Sequence, residues 1–167
     1  ALIVQECSIT KSDNLYKIIS SKLSTNFSNN IRNNSGFMNR LSEGAELLSD
    51  KLFYQNGRKV FKEVTGEVLK HVRSQLEQLE FETDSLSCLW LHQANLNMNR
   101  LISNKLMNRD LSFNEAPVIL DEYANTASAG SVIAFHKHNL HLNKSQYGLL
   151  CSFGAGYSIG SIILQKI

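Results

Sequence analysis

The sequence predicts a mixed α/β domain, a mostly parallel five-stranded sheet with helices packed on its faces, and three observations carry that expectation. Helix-like and strand-like patterns alternate from Arg58 onward. The strand-like runs are short and continuously apolar, as in strands covered on both faces. The last two strand patterns are joined by a glycine turn, which adds an antiparallel end. A chain of 167 residues suffices for one such core, since a domain of that size buries roughly 70% of its unfolded surface. With 43% hydrophobic and 19% charged residues the composition is that of a globular protein without a membrane span. Seventeen Lys and Arg against fifteen Asp and Glu leave a formal charge of +2, which excludes a charge-driven function such as nucleic-acid binding.

Ala1-Leu2-Ile3-Val4 reads as a strand, with no charged and apolar leader before it. From Lys11 to about Ser49 the chain is rich in Ser and Asn, with Asn29-Asn30, Asn33-Asn34 and Ser35-Gly36 as turn signals, and irregular structure is expected apart from short pieces such as Leu15 to Ile19. This stretch is either a connector or a cover for a substrate tunnel. From Arg58, Val60, Val64, Val68, Val72, Leu76 and Leu79 recur at spacings of four and three, with Phe61 and Leu69 widening the stripe, so a long amphipathic helix is predicted. Arg58, Lys59 and Lys62 crowd its start while Glu77, Glu80 and Glu82 gather near its end, both against the helix dipole. A basic helix start suits an acidic partner or a phosphate; the alternative is a solvated face.

After the turn Thr83-Asp84-Ser85, Cys88 to Leu91 reads as a buried strand. Leu96, Leu101, Ile102 and Leu106 mark a second helix ending near Asn108. Pro117 to Leu120 reads as another strand with its proline at the first position. A small-residue helix follows through Ala127, Ala129, Val132, Ile133 and His136, then a strand from Tyr147 to Ser152, the turn Phe153-Gly154-Ala155-Gly156, and a strand from Tyr157 to Ile167. Ala1 to Glu6 and Ser161 to Lys166 echo one another, as the closing strands of two structural repeats would.

In α/β sheets the reactive groups collect beyond the carboxyl ends of strands, and His92, Asn125 and the turn at Phe153 to Gly156 all fall there. A neutral imidazole and a carboxamide can together donate hydrogen bonds to one carbonyl oxygen and stabilise an enolate; backbone N–H groups of a glycine turn can serve a second oxyanion. Those parts suit acyl transfer or carbon–carbon bond formation at a thioester, given a nucleophile, although a strand-end His is also often a satisfied core residue. Cys7, Cys88 and Cys151 have no CxxC spacing and read as reduced thiols of a cytoplasmic protein, none of them in the setting of a nucleophile. His136, His138 and His141 lie on an exposed helix end without acidic or thiol companions, so no metal site is expected.

His92-Gln93-Ala94-Asn95, Tyr123-Ala124-Asn125-Thr126-Ala127-Ser128-Ala129 and Phe153-Gly154-Ala155-Gly156-Tyr157-Ser158-Ile159-Gly160-Ser161, in that order and spacing, resemble the C-terminal half of the β-ketoacyl-acyl-carrier-protein synthase III enzymes of the thiolase superfamily. The resemblance runs from about Asn56 to Ile167 and includes Gly57 to Lys62, similar to the family's GxxVFK helix start. It implies a thiolase-like half fold, divided into residues 1–10 as the closing strand of an N-terminal half, 11–55 as a connecting and substrate-covering segment, and 56–167 as the C-terminal domain. It implies His92 and Asn125 as the catalytic pair that decarboxylates malonyl thioester, the Ala155 N–H as an oxyanion donor, and Phe153, Asn95 and Arg58 as substrate-binding residues. Lys62 and Arg100 would dock the carrier protein, Asn97 standing where the family has its basic residue. Ala124 replaces the family's Gly before the catalytic Asn, and Gly130-Ser131 replaces its Ile-Pro, which marks a divergent branch.

The implied activity is decarboxylative condensation in fatty-acid biosynthesis by an enzyme whose cysteine nucleophile lies in the N-terminal half. The implied partners are acyl carrier protein, acyl-coenzyme A, that half and a second copy in a homodimer. The thioesters are substrates, and no cofactor is expected. Two alternatives stand beside it: a specialised condensing or ester-forming acyltransferase of secondary metabolism, and, for this chain by itself, a non-catalytic binding half.

Overall fold

A computed structural model of the chain describes residues 2–33 and 53–167. Its strands are β1 (Tyr16–Thr25), β2 (Ile31–Asn33), β3 (Phe53–Gln55), β4 (Leu86–Leu91), β5 (Tyr147–Gly154) and β6 (Ser158–Lys166). Its helices are α1 (Gly57–Glu77), α2 (Leu96–Met107), the single turn α3 (Leu120–Tyr123) and α4 (Ala129–Lys137). The main sheet has the order β1-β6-β5-β4, and β2 and β3 form a separate antiparallel ribbon. β4 runs parallel to β5, whereas β5–β6 and β1–β6 are antiparallel.

The helices Arg58 onward and Leu96 onward, and the strands at Cys88, Tyr147 and Ser158, stand where the sequence pattern puts them. The make-up of the sheet and three elements differ. Among the described residues the main sheet has four strands rather than five, and two of its three pairings are antiparallel. Pro117 to Ile119 is not a regular strand, and Leu120 opens α3. The segment still lies along β4, because the Leu89 N–H donates to the Glu115 carbonyl at 2.7 Å and Gln93 bonds further along it, as described below. Residues 2–6 form no regular structure.

The third element is β1, in a stretch expected to be irregular. Ile18 and Leu23 are exposed; Ile19 packs against the core beneath α1, but Ser20, Lys22 and Ser24, which meet α1, are polar, so beyond Ile19 the strand shows no hydrophobic pattern. These three are matched one by one. The Gln75 Nε2 donates to Ser20 Oγ at 3.1 Å, Lys22 Nζ donates to Ser74 Oγ at 2.6 Å, and Ser24 Oγ meets His71 Nδ1 at 2.7 Å. On β6, Ser161 Oγ donates to Gln75 Oε1 at 2.5 Å and lies 2.8 Å from His71 Nε2. Since Ser161 spends its proton on Gln75, its oxygen accepts from His71 Nε2–H, leaving His71 Nδ1 to accept from Ser24. Burial, with Lys22 nearby, holds His71 below its ordinary pKa and so in that neutral tautomer. The stretch 34–52, which includes the expected turn at Ser35-Gly36, lies outside the described residues.

The larger part of the core is apolar. Val60, Val64, Val68, Val72 and Leu76 of α1 pack with Ile102 and Leu106 of α2 over one face of the sheet. On the other face Trp90 and Leu150 meet Ala134 and Phe135 of α4. Each fully buried side chain of this size contributes about 1.5–3 kcal/mol. Trp90, 0% exposed, stands edge-on to Phe135 at 4.8 Å and to Tyr16 at 6.3 Å, and its Nε1 donates to the His138 carbonyl at 3.0 Å. A Cβ on Gly148 would lie 2.3 Å from its ring, so only glycine admits the indole there. No helix among the described residues is long and apolar enough to cross a membrane.

Gly148→Ala is expected to destabilise the protein by about 1–3 kcal/mol through overpacking. The urea midpoint of the variant checks this; an unchanged midpoint would contradict the close approach.

Candidate active site

His92 sits one residue beyond β4 and Phe153 near the end of β5, and the parallel register of those strands brings the two ends together. Their rings meet at 4.7 Å in an edge-on arrangement. Only 7% of His92 is exposed, and burial pushes its pKa below the ordinary value, opposed by a hydrogen bond with the backbone of Ala127. A neutral imidazole results, and its one N–H, which the Ala127 backbone takes here, has to turn to a substrate carbonyl in order to donate there. Ser152 Oγ stands 3.5 Å from its Nδ1.

Asn125 lies on the exposed loop between α3 and α4, and its Oδ1 accepts from the Ala127 N–H at 3.0 Å. Ala127 is therefore the link between this loop and His92. Ala124 and Ala127, on either side of Asn125, both have φ of 53°. For Ala124 this comes with ψ of −155°, a region occupied almost only by glycine. The strain explains why a Gly suits the position before this Asn.

Gln93 is a residue beside the candidate site that the motif reading left without a role. It is fully buried, its Nε2 donates to the Leu91 carbonyl at 2.9 Å and the Pro117 carbonyl at 3.4 Å, and its Oε1 accepts from the Ile119 N–H at 3.0 Å. One amide thus replaces the strand ladder that Pro117 to Ile119 lacks and fixes the loop bearing Asn125 relative to the end of β4. Gly130 packs against the same side chain, a Cβ there lying 2.9 Å from Gln93 Cβ. The available signal was a carboxamide directly after a strand-end His, since buried amides are kept where all their bonds are met.

The turn after β5 leaves the Ala155 N–H without a hydrogen bond among the described residues, while Ala155 itself is exposed. Gly156 has φ of +138°, which an L side chain rarely adopts. Asn95 caps α2, its Oδ1 accepting from the Met98 N–H at 2.9 Å. Arg58 and Lys62 are exposed in the first turns of α1, and Arg100 is exposed on α2. Among the described residues none of these four is hydrogen-bonded to His92. Cys88 and Cys151 are buried, and burial pushes both thiols up to about 12, so neither is a thiolate at neutral pH. No cluster of three His, Cys, Asp or Glu suited to a metal ion occurs among the described residues.

Residues 76–166, more than half of the chain, match the family described as 3-Oxoacyl-[acyl-carrier-protein (ACP)] synthase III C terminal. The chain belongs to this family. Over 166 residues it is 54% identical to the beta-ketodecanoyl-[acyl-carrier-protein] synthase of Pseudomonas aeruginosa, a match that covers 99% of this chain and 47% of that protein. A crystal structure of a 3-oxoacyl-(acyl-carrier-protein) synthase III superposes with a TM-score of 0.75 at 22% identity, over 89% of this chain and 47% of the other. The synthase III of Aquifex aeolicus does so with a TM-score of 0.72 at 19% identity, over 93% and 46%. The chain thus spans about half the length of the relatives it matches, and the thiolase-like half fold is shared with them.

Two substitutions test the scaffold of the site. Ala124→Gly is expected to raise stability by about 1 kcal/mol through relief of backbone strain, read as a higher urea midpoint. Gln93→Ala strands the Ile119 N–H and the Leu91 carbonyl, and at about 1–3 kcal/mol per buried unpaired group the midpoint should fall sharply.

Proposed function

We propose that the intact protein is a β-ketoacyl-acyl-carrier-protein synthase III-type acyltransferase and that this chain supplies its decarboxylating half. The observation that carries the reading is the buried neutral His92 at the end of β4, packed on Phe153 and tied through Ala127 to the loop of Asn125. A cysteine thiolate outside this chain attacks the carbonyl of an acyl thioester and expels the thiol of coenzyme A or of the carrier protein. The Ala155 N–H donates to the oxyanion of that step. Malonyl-carrier protein then enters; its thioester carbonyl accepts from His92 and Asn125, its carboxylate leaves as carbon dioxide, and the resulting enolate carbon attacks the acyl-enzyme, releasing the cysteine thiolate and the β-ketoacyl product.

Asn95 and Arg58 border the path of the phosphopantetheine arm, and Lys62 and Arg100 meet the acidic carrier protein. The thioesters are the substrates, and no cofactor enters this chemistry. The cleft of about 320 Å³ bounded by Leu23, Leu150, Ile162, Ser128 and Val132 belongs to the face on which the N-terminal half packs. The enzyme works in the cytoplasm as a homodimer, in fatty-acid biosynthesis. The extent of identity with a synthase named for a decanoyl product supports an acyl donor two carbons shorter than that product.

His92→Ala in the intact protein should lower malonyl-carrier decarboxylation by about 10²–10³-fold, the effect of losing one oxyanion donor. Wild-type decarboxylation in this variant would overturn the reading. Because burial lowers the His92 pKa, the active neutral form persists at pH 6.5 and the wild-type rate is lost only as the pH falls further.

A further inference from the structure

Glu63 lies one residue beyond Lys62 on α1, and its carboxylate is occupied from another part of the fold. Its Oε2 accepts from the Tyr157 hydroxyl at 2.7 Å and from Asn30 Nδ2 at 2.8 Å. Tyr157 closes the turn Gly154-Ala155-Gly156, and its ring is 3% exposed in the core beneath α1. The backbone beside it is clasped as well: the Asn26 N–H donates to the Tyr157 carbonyl at 2.7 Å, the Ser28 N–H donates to the Gly156 carbonyl at 2.5 Å, and the Tyr157 N–H donates to the Asn26 carbonyl. The turn carrying the Ala155 N–H is thus held on one side by residues 26–28 and on the other by α1.

We propose that Glu63 and Tyr157 form a latch that positions the Ala155 N–H for the oxyanion of acyl transfer. This inference rests on the condensing-enzyme reading above. A phenol donating to a carboxylate makes a short charge-assisted bond, directional enough to fix the ring and with it the following turn. Both bonds, that of Tyr157 first, hold the Glu63 carboxyl below its usual range, so the acceptor is ionised at neutral pH. Neither residue reaches the reacting atoms; both are positioning residues. Lys62 and Glu63 are neighbours, so the helix turn that meets the carrier also sets the oxyanion donor. His92 stands just beyond β4 and Asn125 on the α3–α4 loop, both outside the latch, and the decarboxylation they perform should not feel its loss.

The test uses the intact enzyme carrying Tyr157→Phe, Glu63→Ala or Glu63→Gln, with acyl-enzyme formation from acyl-coenzyme A and malonyl-carrier decarboxylation measured separately. Tyr157→Phe keeps the buried ring and removes only the hydroxyl, so folding is retained. Tyr157→Phe and Glu63→Ala should each slow the maximal rate of acylation about 10–100-fold, the scale of a displaced oxyanion donor, with KM for acyl-coenzyme A and decarboxylation unchanged. The double variant should be no slower than either single one, as expected when two residues act through one bond. Glu63→Gln, which still offers an oxygen to Tyr157, should recover most of the rate. Wild-type acylation in Tyr157→Phe, or an equal loss of acylation and decarboxylation, overturns the latch. A wild-type enzyme that forms no acyl-enzyme instead overturns the condensing-enzyme reading, so the two failures are distinguishable.

Discussion

The packing of Trp90 against Gly148 is the constraint on which the rest of the domain is built. The indole is fully buried, and the space it occupies exists because the facing strand has no side chain at 148. From that position it touches β1 through Tyr16 and α4 through Phe135, and it bonds the backbone at His138 where α4 ends. A sheet, its edge strand and the helix that follows the Asn125 loop are therefore referenced to one side chain. His92 follows two residues later, just beyond the end of the same strand, so the seat of the indole also sets where the imidazole begins.

Around that anchor, polar side chains replace hydrophobic contact or missing ladder bonds in two places. Along β1, serines and a lysine face α1 and are paired with His71, Ser74 and Gln75. Next to His92, the single amide of Gln93 does the work of a strand pairing for Pro117 to Ile119. Such groups are costly to bury unless every bond is made, and both sets meet that condition. The consequence is specificity of placement: an apolar contact tolerates sliding, whereas an amide bonded at three points does not.

The candidate site inherits this rigidity from several sources. β4 and β5 bring His92 against Phe153; Gln93 holds the neighbouring loop; the strained backbone at Ala124 and Ala127 presents Asn125; and the clasp on Gly156 and Tyr157 holds the turn with the unbonded Ala155 N–H. Burial leaves the imidazole neutral and the two described buried thiols protonated. Among the described residues the candidate site therefore combines a neutral imidazole, a carboxamide and an unbonded backbone N–H.

The sequence by itself determined the long helix from Arg58, the helix at Leu96 and the strands at Cys88 and Tyr147, because their apolar residues recur with helical period or as buried runs. It also placed His92 directly after a strand, since a polar group after an apolar run marks a strand end, whereas Asn125 follows a helical turn rather than the strand expected before it. Beyond the piece at Leu15 to Ile19, β1 was not legible, because Ser20, Lys22 and Ser24 are polar and acquire their partners only when α1 lies across them. Nor was the loss of the fifth strand, since Pro117 to Leu120 has a strand's composition while its bonds are decided by Gln93, a residue 24 positions away from Pro117. Only the tertiary structure decided the neutral state of His92 and the tie between Glu63 and Tyr157, which are 94 residues apart, because desolvation and long-range hydrogen bonds exist only once the chain has packed.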